Sequence, residues 1–207
     1  MELIQMNKDI HAYLTETDIV DYSHPLVQEK VEEIKQCGKT KEAQATLAFL
    51  FTRDVIKHSF DIDGKYVTKS ASEAIAKKEG ICFAKAHVLA ALLRALGIPA
   101  GFCYQRVTKK GTPESGYALH GLNAIYWEPT KSWFRVDPRG NKPGISATFN
   151  RETEQLAYPI RSQLDEIDYP YVYSEPLPEA IESLENATTC EALFEHRPER
   201  ISEGSFN

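Results

Sequence analysis

Cys82 follows Gly80-Ile81 at the expected start of a helix rich in alanine and leucine. A helix start offers unpaired backbone N–H groups and the positive end of the dipole, which favour an anion. The thiolate is the reactive form of cysteine, and such a setting lowers its pKa. The same N–H groups could receive the oxyanion of a tetrahedral intermediate. Taken alone, a free cysteine is more often a small buried hydrophobe.

His120 lies within an expected strand, Ala118 to Trp127, and Asp137 ends the next, Ser132 to Asp137. Side chains alternate along a strand. If the turn Glu128 to Lys131 is an even-length loop, residues on one face pair through odd sums. His120 and Asp137 then share a face, directly opposite or diagonal. A carboxylate that fixes an imidazole's tautomer and stabilises its imidazolium is what a general base needs. A hydrogen-bonded structural histidine would look the same in sequence.

The elements around these residues are helical first. Ser23-His24-Pro25 starts one helix, with Leu26, Val27, Val31 and Ile34 at helical spacing and Gly38 as its stop. A second begins after Thr40 and runs to about Ile56. His58 to Gly64 reads as a loop. Ser70 and Glu73 have capping-box spacing for a short helix, closed at Gly80. The helix from Cys82 to Leu96 has a mostly apolar face, which places it inside the fold, and Gly97 and Pro99 end it.

Strands follow: Gly101 to Val107, then the pair that carries His120 and Asp137, then a loop from Pro138 to Gly144. Tyr169 to Pro178 reads as extended. A helix is expected from Pro178 to Glu185, and Thr188 and Glu191 offer a box for a last one. The final ten residues read as frayed. Helices followed by a meander of strands predict a single α+β domain over 1–207.

The segment Thr68 to Lys142 resembles the transglutaminase-like superfamily. The matching elements are Ser72-Glu73-Ala74-Ile75, Gly80-Ile81-Cys82, Leu92-Leu93-Arg94-Ala95-Leu96, Gly97-Ile98-Pro99-Ala100, His120 and Trp133-Phe134-Arg135-Val136-Asp137-Pro138. The helical region 1–67 is similar to that family's lead-in, and 143–207 reads as a C-terminal extension. The resemblance implies a papain-like α+β core, with the nucleophile at the start of a buried helix packed on an antiparallel sheet. It carries Cys82, His120 and Asp137 over as a catalytic triad. Many relatives have tryptophan two residues after the histidine, where this chain has Leu122. Many have an acidic or aromatic residue two after the cysteine, where it has Ala84. Arg139-Gly140-Asn141-Lys142 looks like a feature of a bacterial subgroup.

Lys85, about one turn after Cys82, could favour the thiolate or meet a substrate carboxylate, although such a lysine is more often solvated. Arg139 and Lys142 follow Asp137 directly and should border the cleft, where their charge would favour anionic substrates. His87 diverges from Cys82 on a helix and makes a poor metal pair with it. His58 and Ser59 precede the catalytic region, and a second oxyanion donor could come from there. His11, His24 and His196 read as surface or capping residues. Cys37, Cys103 and Cys190 read as packing residues, and Tyr104, Tyr126, Trp127 and Trp133 as core.

The chain has 207 residues, a formal net charge of -6 and 42% hydrophobic residues, an ordinary balance for a folded domain. That charge speaks against nucleic acid and anionic membrane surfaces as partners. Met1 to Ile10 carries Glu2, Lys8 and Asp9, unlike a secretory signal. The apolar run Val88 to Leu96 is interrupted by Arg94 and is too short to span a bilayer. Four scattered cysteines with no CxxC pair fit free thiols in a cytoplasmic protein. No metal or organic cofactor is implied. The expected activity is thiol-dependent acyl transfer on a peptide, protein or small amide, leaning to hydrolysis. Transamidation, a non-catalytic binding module and a structural Cys/His metal protein are the rivals.

Overall fold

The computed structural model describes residues 1–202. Chain order runs from a two-residue strand, β1 (Ile4–Gln5), through helices α1 (Pro25–Cys37) and α2 (Lys41–Asp54) to strand β2 (Lys57–His58). Helix α3 (Ala71–Lys77), strand β3 (Glu79–Gly80) and helix α4 (Cys82–Ala95) follow. The strands β4 (Ala100–Thr108), β5 (Tyr117–Trp127) and β6 (Ser132–Val136) come next. The chain then adds β7 (Ile167–Asp168), β8 (Tyr171–Val172), α5 (Pro178–Asn186) and α6 (Cys190–His196).

Local chemistry explains most helix starts. The His24 imidazole accepts from the Leu26 N–H, and Pro25 takes the first helical position. Thr40 caps α2, and Ser70 and Glu73 form a complete capping box on α3. Helix α4 differs: residue 81 is isoleucine and no side chain caps it. Thirteen of its fourteen residues, Cys82 through Arg94, are buried. Each buried leucine on it contributes about 1.5–3 kcal/mol of apolar burial.

The helix lies between α1, α2 and α3 on one side and the sheet on the other. That sheet is antiparallel, in the order β6-β5-β4-β7. Two small parallel pairs, β1 with β8 and β2 with β3, tie distant segments together. The architecture is α+β, as the alternation of patterns predicts.

Gly80 and Gly121 let α4 approach its neighbours. A Cβ on Gly80 would meet Ala84 Cβ and Thr68 Oγ1, each at 2.8 Å. One on Gly121 would lie 2.7 Å from Phe83 Cδ1. Glycine at these positions serves close contact between elements. Gly80 does not close α3; Lys78 does, in the left-handed conformation (φ 54°).

Other departures from the sequence expectations sit at element ends. Helix α2 stops at Asp54, where Lys85 takes the carbonyls of Thr52 and Arg53 in its last turn and of Ile56 just beyond it. Helix α6 is capped by Thr189, whose hydroxyl accepts from the Ala192 N–H, and not by Thr188. Cys37 is exposed. Within the segment expected to fray, residues 198–202 are docked: the Leu119 N–H donates to the Pro198 carbonyl and Ile201 is buried. The rest of that segment, 203–207, lies outside the described residues. Among the described residues, no helix is long and apolar enough to cross a membrane.

Candidate active site

Sheet register decides whether His120 can meet Asp137. Trp127 pairs with Ser132 and Asn123 with Val136, so the connecting loop holds four residues and paired positions sum to an odd number. His120 and Asp137 therefore share a face, on a diagonal. The His120 Nε2 group bonds Asp137 Oδ2 at 2.8 Å, both side chains being buried. The other ring nitrogen, Nδ1, is left for the sulfur of Cys82.

Asp137 is fully buried and wholly engaged. Its Oδ1 accepts from the Arg139 N–H at 3.0 Å, and its Oδ2 also accepts from the Ala157 N–H at 3.0 Å. Burial opposes the carboxylate, but the charge and hydrogen bond of His120 and the two backbone donors outweigh it, so the pKa is lowered. Burial likewise opposes the His120 imidazolium, yet Asp137 and Cys82 raise its pKa. The ring of Tyr158 meets that of His120 edge-on, with centroids 4.8 Å apart.

Cys82 occupies the first position of α4 and is buried. Burial resists ionisation of the thiol. The His120 side chain, the Gly121 backbone and the charge of Arg197 act the other way, and the pKa falls below the ordinary thiol value. The uncapped start of α4 leaves its first N–H groups to the sulfur or to an incoming oxyanion. Cys103, equally buried but without such neighbours, is pushed up to about 12 by desolvation. Both thiols are buried, so the opposite directions of their shifts come from their neighbours.

These groups open on a cleft of about 540 Å³. The paired strands β2 and β3 set His58 opposite Gly80, two residues before Cys82. His58 lines the cleft, its Nδ1 is buried without a hydrogen-bond partner, and it is 7% exposed. Desolvation, with the charge of Arg139, lowers its pKa well below the ordinary histidine value. The ring is therefore neutral at neutral pH, with one N–H donor.

Three sequence expectations meet different fates. Arg139 and Lys142 do line the cleft, but both pair with Asp61. Arg139 also donates to the Tyr158 hydroxyl at 2.9 Å. Lys85 does not line the cleft. Its side chain is fully buried, and its ammonium donates to the carbonyls of Thr52 (2.7 Å), Arg53 (3.2 Å) and Ile56. Helical direction turns it toward the end of α2, where those carbonyls engage its ammonium. Tyr104, Tyr126, Trp127 and Trp133 stay out of the cleft.

Sequence reasoning missed Ala157, Tyr158, Phe194 and Arg197, which close the cleft from the C-terminal extension. They lie far from Cys82, His120 and Asp137 in sequence, and no local motif marks them.

A family model described as transglutaminase-like superfamily matches residues 28–138, which adds α1 and α2 to the segment whose motifs show the likeness. No curated protein matches. Among solved structures, a “putative cysteine protease” from Cytophaga hutchinsonii is 19% identical with a TM-score of 0.51, covering 65% of this chain and 43% of its own. The periplasmic domain of TgpA from Pseudomonas aeruginosa gives 19% identity and a TM-score of 0.47, over 63% and 47%. Its ethylmercury-bound form gives 20% and 0.44, over 61% and 46%. The present chain thus spans less than half the length of each. With the match extending over more than half of its residues, and a cysteine-led helix set against an antiparallel sheet, this chain belongs to the transglutaminase-like superfamily.

Proposed function

We propose that the protein is a cysteine-dependent amidase or peptidase in which Cys82 is nucleophile, His120 is general base and then acid, and Asp137 holds the imidazole. The observation that carries this is the buried His120–Asp137 bond next to a thiol whose pKa is lowered. The Cys82 thiolate attacks an amide carbonyl carbon; a C–S bond forms and the carbonyl electron pair moves to oxygen. The intermediate collapses, the C–N bond breaks, and the leaving amine takes its proton from the His120 imidazolium. Water then gives a proton to His120 and attacks the thioester, releasing a carboxylic acid and the thiolate.

Backbone N–H groups at the start of α4 stabilise the oxyanion, and His58 adds a neutral donor. Its place beside Gly80 and its unpartnered buried nitrogen support that role. Arg139 joins Asp61 to Tyr158 and so braces the cleft wall, while Lys142 adds to the same ion pair.

Hydrolysis is favoured over transamidation by charge. Six cationic side chains line the cleft against two carboxylates, and a protonated amine acceptor would be repelled by that balance. A reducing compartment such as the cytoplasm suits the four free thiols.

The test is turnover of a library of peptides and small amides by wild type and Cys82→Ala, with and without an added amine. The expected result is acid product that needs Cys82, with little amine incorporated. Absence of any Cys82-dependent product, together with iodoacetamide labelling of Cys82 no faster than of exposed Cys37, would overturn the assignment. Predominant amine incorporation would favour transamidation.

A further inference from the structure

The cations of the cleft are not equivalent. Arg139 and Lys142 share one carboxylate, Asp61, and Arg161 pairs with Glu166 at 2.6 Å. Lys109 donates to the Glu195 carbonyl, and Lys110 is exposed. Arg197 stands apart. It follows α6, outside the segment matched by the family model, and its guanidinium lies over two rings, 4.8 Å from the centroid of Phe60 and 4.7 Å from that of Phe194. Those rings meet edge-to-face with centroids 5.1 Å apart.

Its Nε donates to the Phe194 carbonyl at 3.4 Å, and no carboxylate pairs with it among the described residues. The backbone is held too, since the next residue, Pro198, accepts from the Leu119 N–H at 2.6 Å beside His120. A guanidinium packed against two rings has already lost the freedom of its long stem. Its remaining N–H groups form a fork that matches a carboxylate. Arg197 is also near enough to Cys82 to be among the groups that, against burial, hold the thiol down.

We infer that Arg197 is a specificity-determining residue that binds a carboxylate of the substrate beside the acyl group attacked by Cys82. The inference rests on the acyl-transfer reading above. It identifies the substrate class as carboxylate-bearing amides: peptides cleaved next to a free C-terminus or to an acidic side chain. The anionic preference expected of Arg139 and Lys142 falls instead to a residue of the C-terminal extension, because Asp61 already engages the first two.

Two pairs of thiol reagents test this without a known substrate: iodoacetate with iodoacetamide, and maleimidopropionate with N-ethylmaleimide. The second pair places its carboxylate farther from the sulfur. Rates at Cys82 are read by peptide mapping, with exposed Cys37 in the same molecule as reference. In wild type, the ratio of carboxylate to neutral rate should be higher at Cys82 than at Cys37 with at least one pair.

Arg197→Met keeps a stem against the rings and removes the charge; it should lower that ratio about tenfold, the worth of one charge-assisted hydrogen bond. Arg197→Lys, which keeps charge but loses the fork, should fall between. The neutral rate in each variant reports whether the site is intact. Equal ratios in wild type and Arg197→Lys and Met variants, or a wild-type ratio no higher at Cys82 than at Cys37, would overturn the inference. Slow neutral labelling with the charge ratio still raised would sink the acyl-transfer reading and leave the carboxylate site standing. With a substrate in hand, free-acid and amidated peptides, and acidic and amide side chains, separate the two sources of the carboxylate through KM.

Discussion

Replacing Asp137 by asparagine tests the site in two separable ways. The carboxylate accepts three hydrogen bonds: His120 and the Ala157 N–H on Oδ2, and the Arg139 N–H on Oδ1. An asparagine has one acceptor oxygen. Placed toward His120 it serves Ala157 as well, but its amide then faces the Arg139 N–H, donor against donor. Turned around, it serves Arg139 but abandons Ala157 and forces the wrong tautomer on His120. Either way at least one buried N–H loses its partner, at a cost of about 1–3 kcal/mol.

The pH signs follow from the shifts. Asp137 has a lowered pKa, so its contribution is present above the ordinary carboxylate pKa of about 3.9 and lost as pH falls. His120 has a raised pKa, so its contribution is full below about 6.5 and lost as pH rises through the folded value. The stability gap between wild type and variant should therefore be widest between about pH 4 and 6.5. Denaturant melts across pH measure it.

Activity should fall about a hundredfold to ten-thousandfold, as when a general base loses its orienting charge. The alkaline limb of kcat/KM should move to lower pH, because His120 no longer has a carboxylate to hold its proton. The acid limb should move up, because Cys82 loses part of its imidazolium partner; both limbs report the coupled pair. Activity within tenfold of wild type and unmoved limbs would refute the reasoning.

Cys82→Ala should abolish covalent turnover, and the double variant with His120→Ala should be barely worse, since residues acting as one unit are not additive; kcat/KM for the three variants decides it. Lys85→Met should destabilise the fold by at least about 1–3 kcal/mol, because buried carbonyls at the end of α2 lose their donor. Cys82 alkylation in the still-folded Lys85→Met protein should proceed at the wild-type rate, and a selective loss there would return Lys85 to the site. Gly121→Ala sets a methyl against Phe83 and should cost about 1–3 kcal/mol in denaturant melts, with slower Cys82 alkylation as α4 shifts away from β5.

Much of the framework was legible because it is local. A capping box, a proline at the start of α1 and the apolar run of α4 act within a few residues of themselves. The four-residue turn between β5 and β6 gave the parity that sets His120 and Asp137 on one face. Order and spacing of Cys82, His120 and Asp137 within their motifs pointed to the family.

What the sequence left open depends on contacts between distant segments. Whether Lys85 faced the cleft or the end of α2 turned on how the two helices pack. Whether Arg139 and Lys142 were paired turned on Asp61, remote in sequence but adjacent in space. The extension could not be assigned to the cleft either, since Tyr158 meets His120, and Phe194 clasps Arg197, only after the whole chain has folded back. Residue types and local periodicity determine which groups exist and which face they share along one element. Charge balance and access are set by neighbours from other elements, so only the tertiary structure decided them.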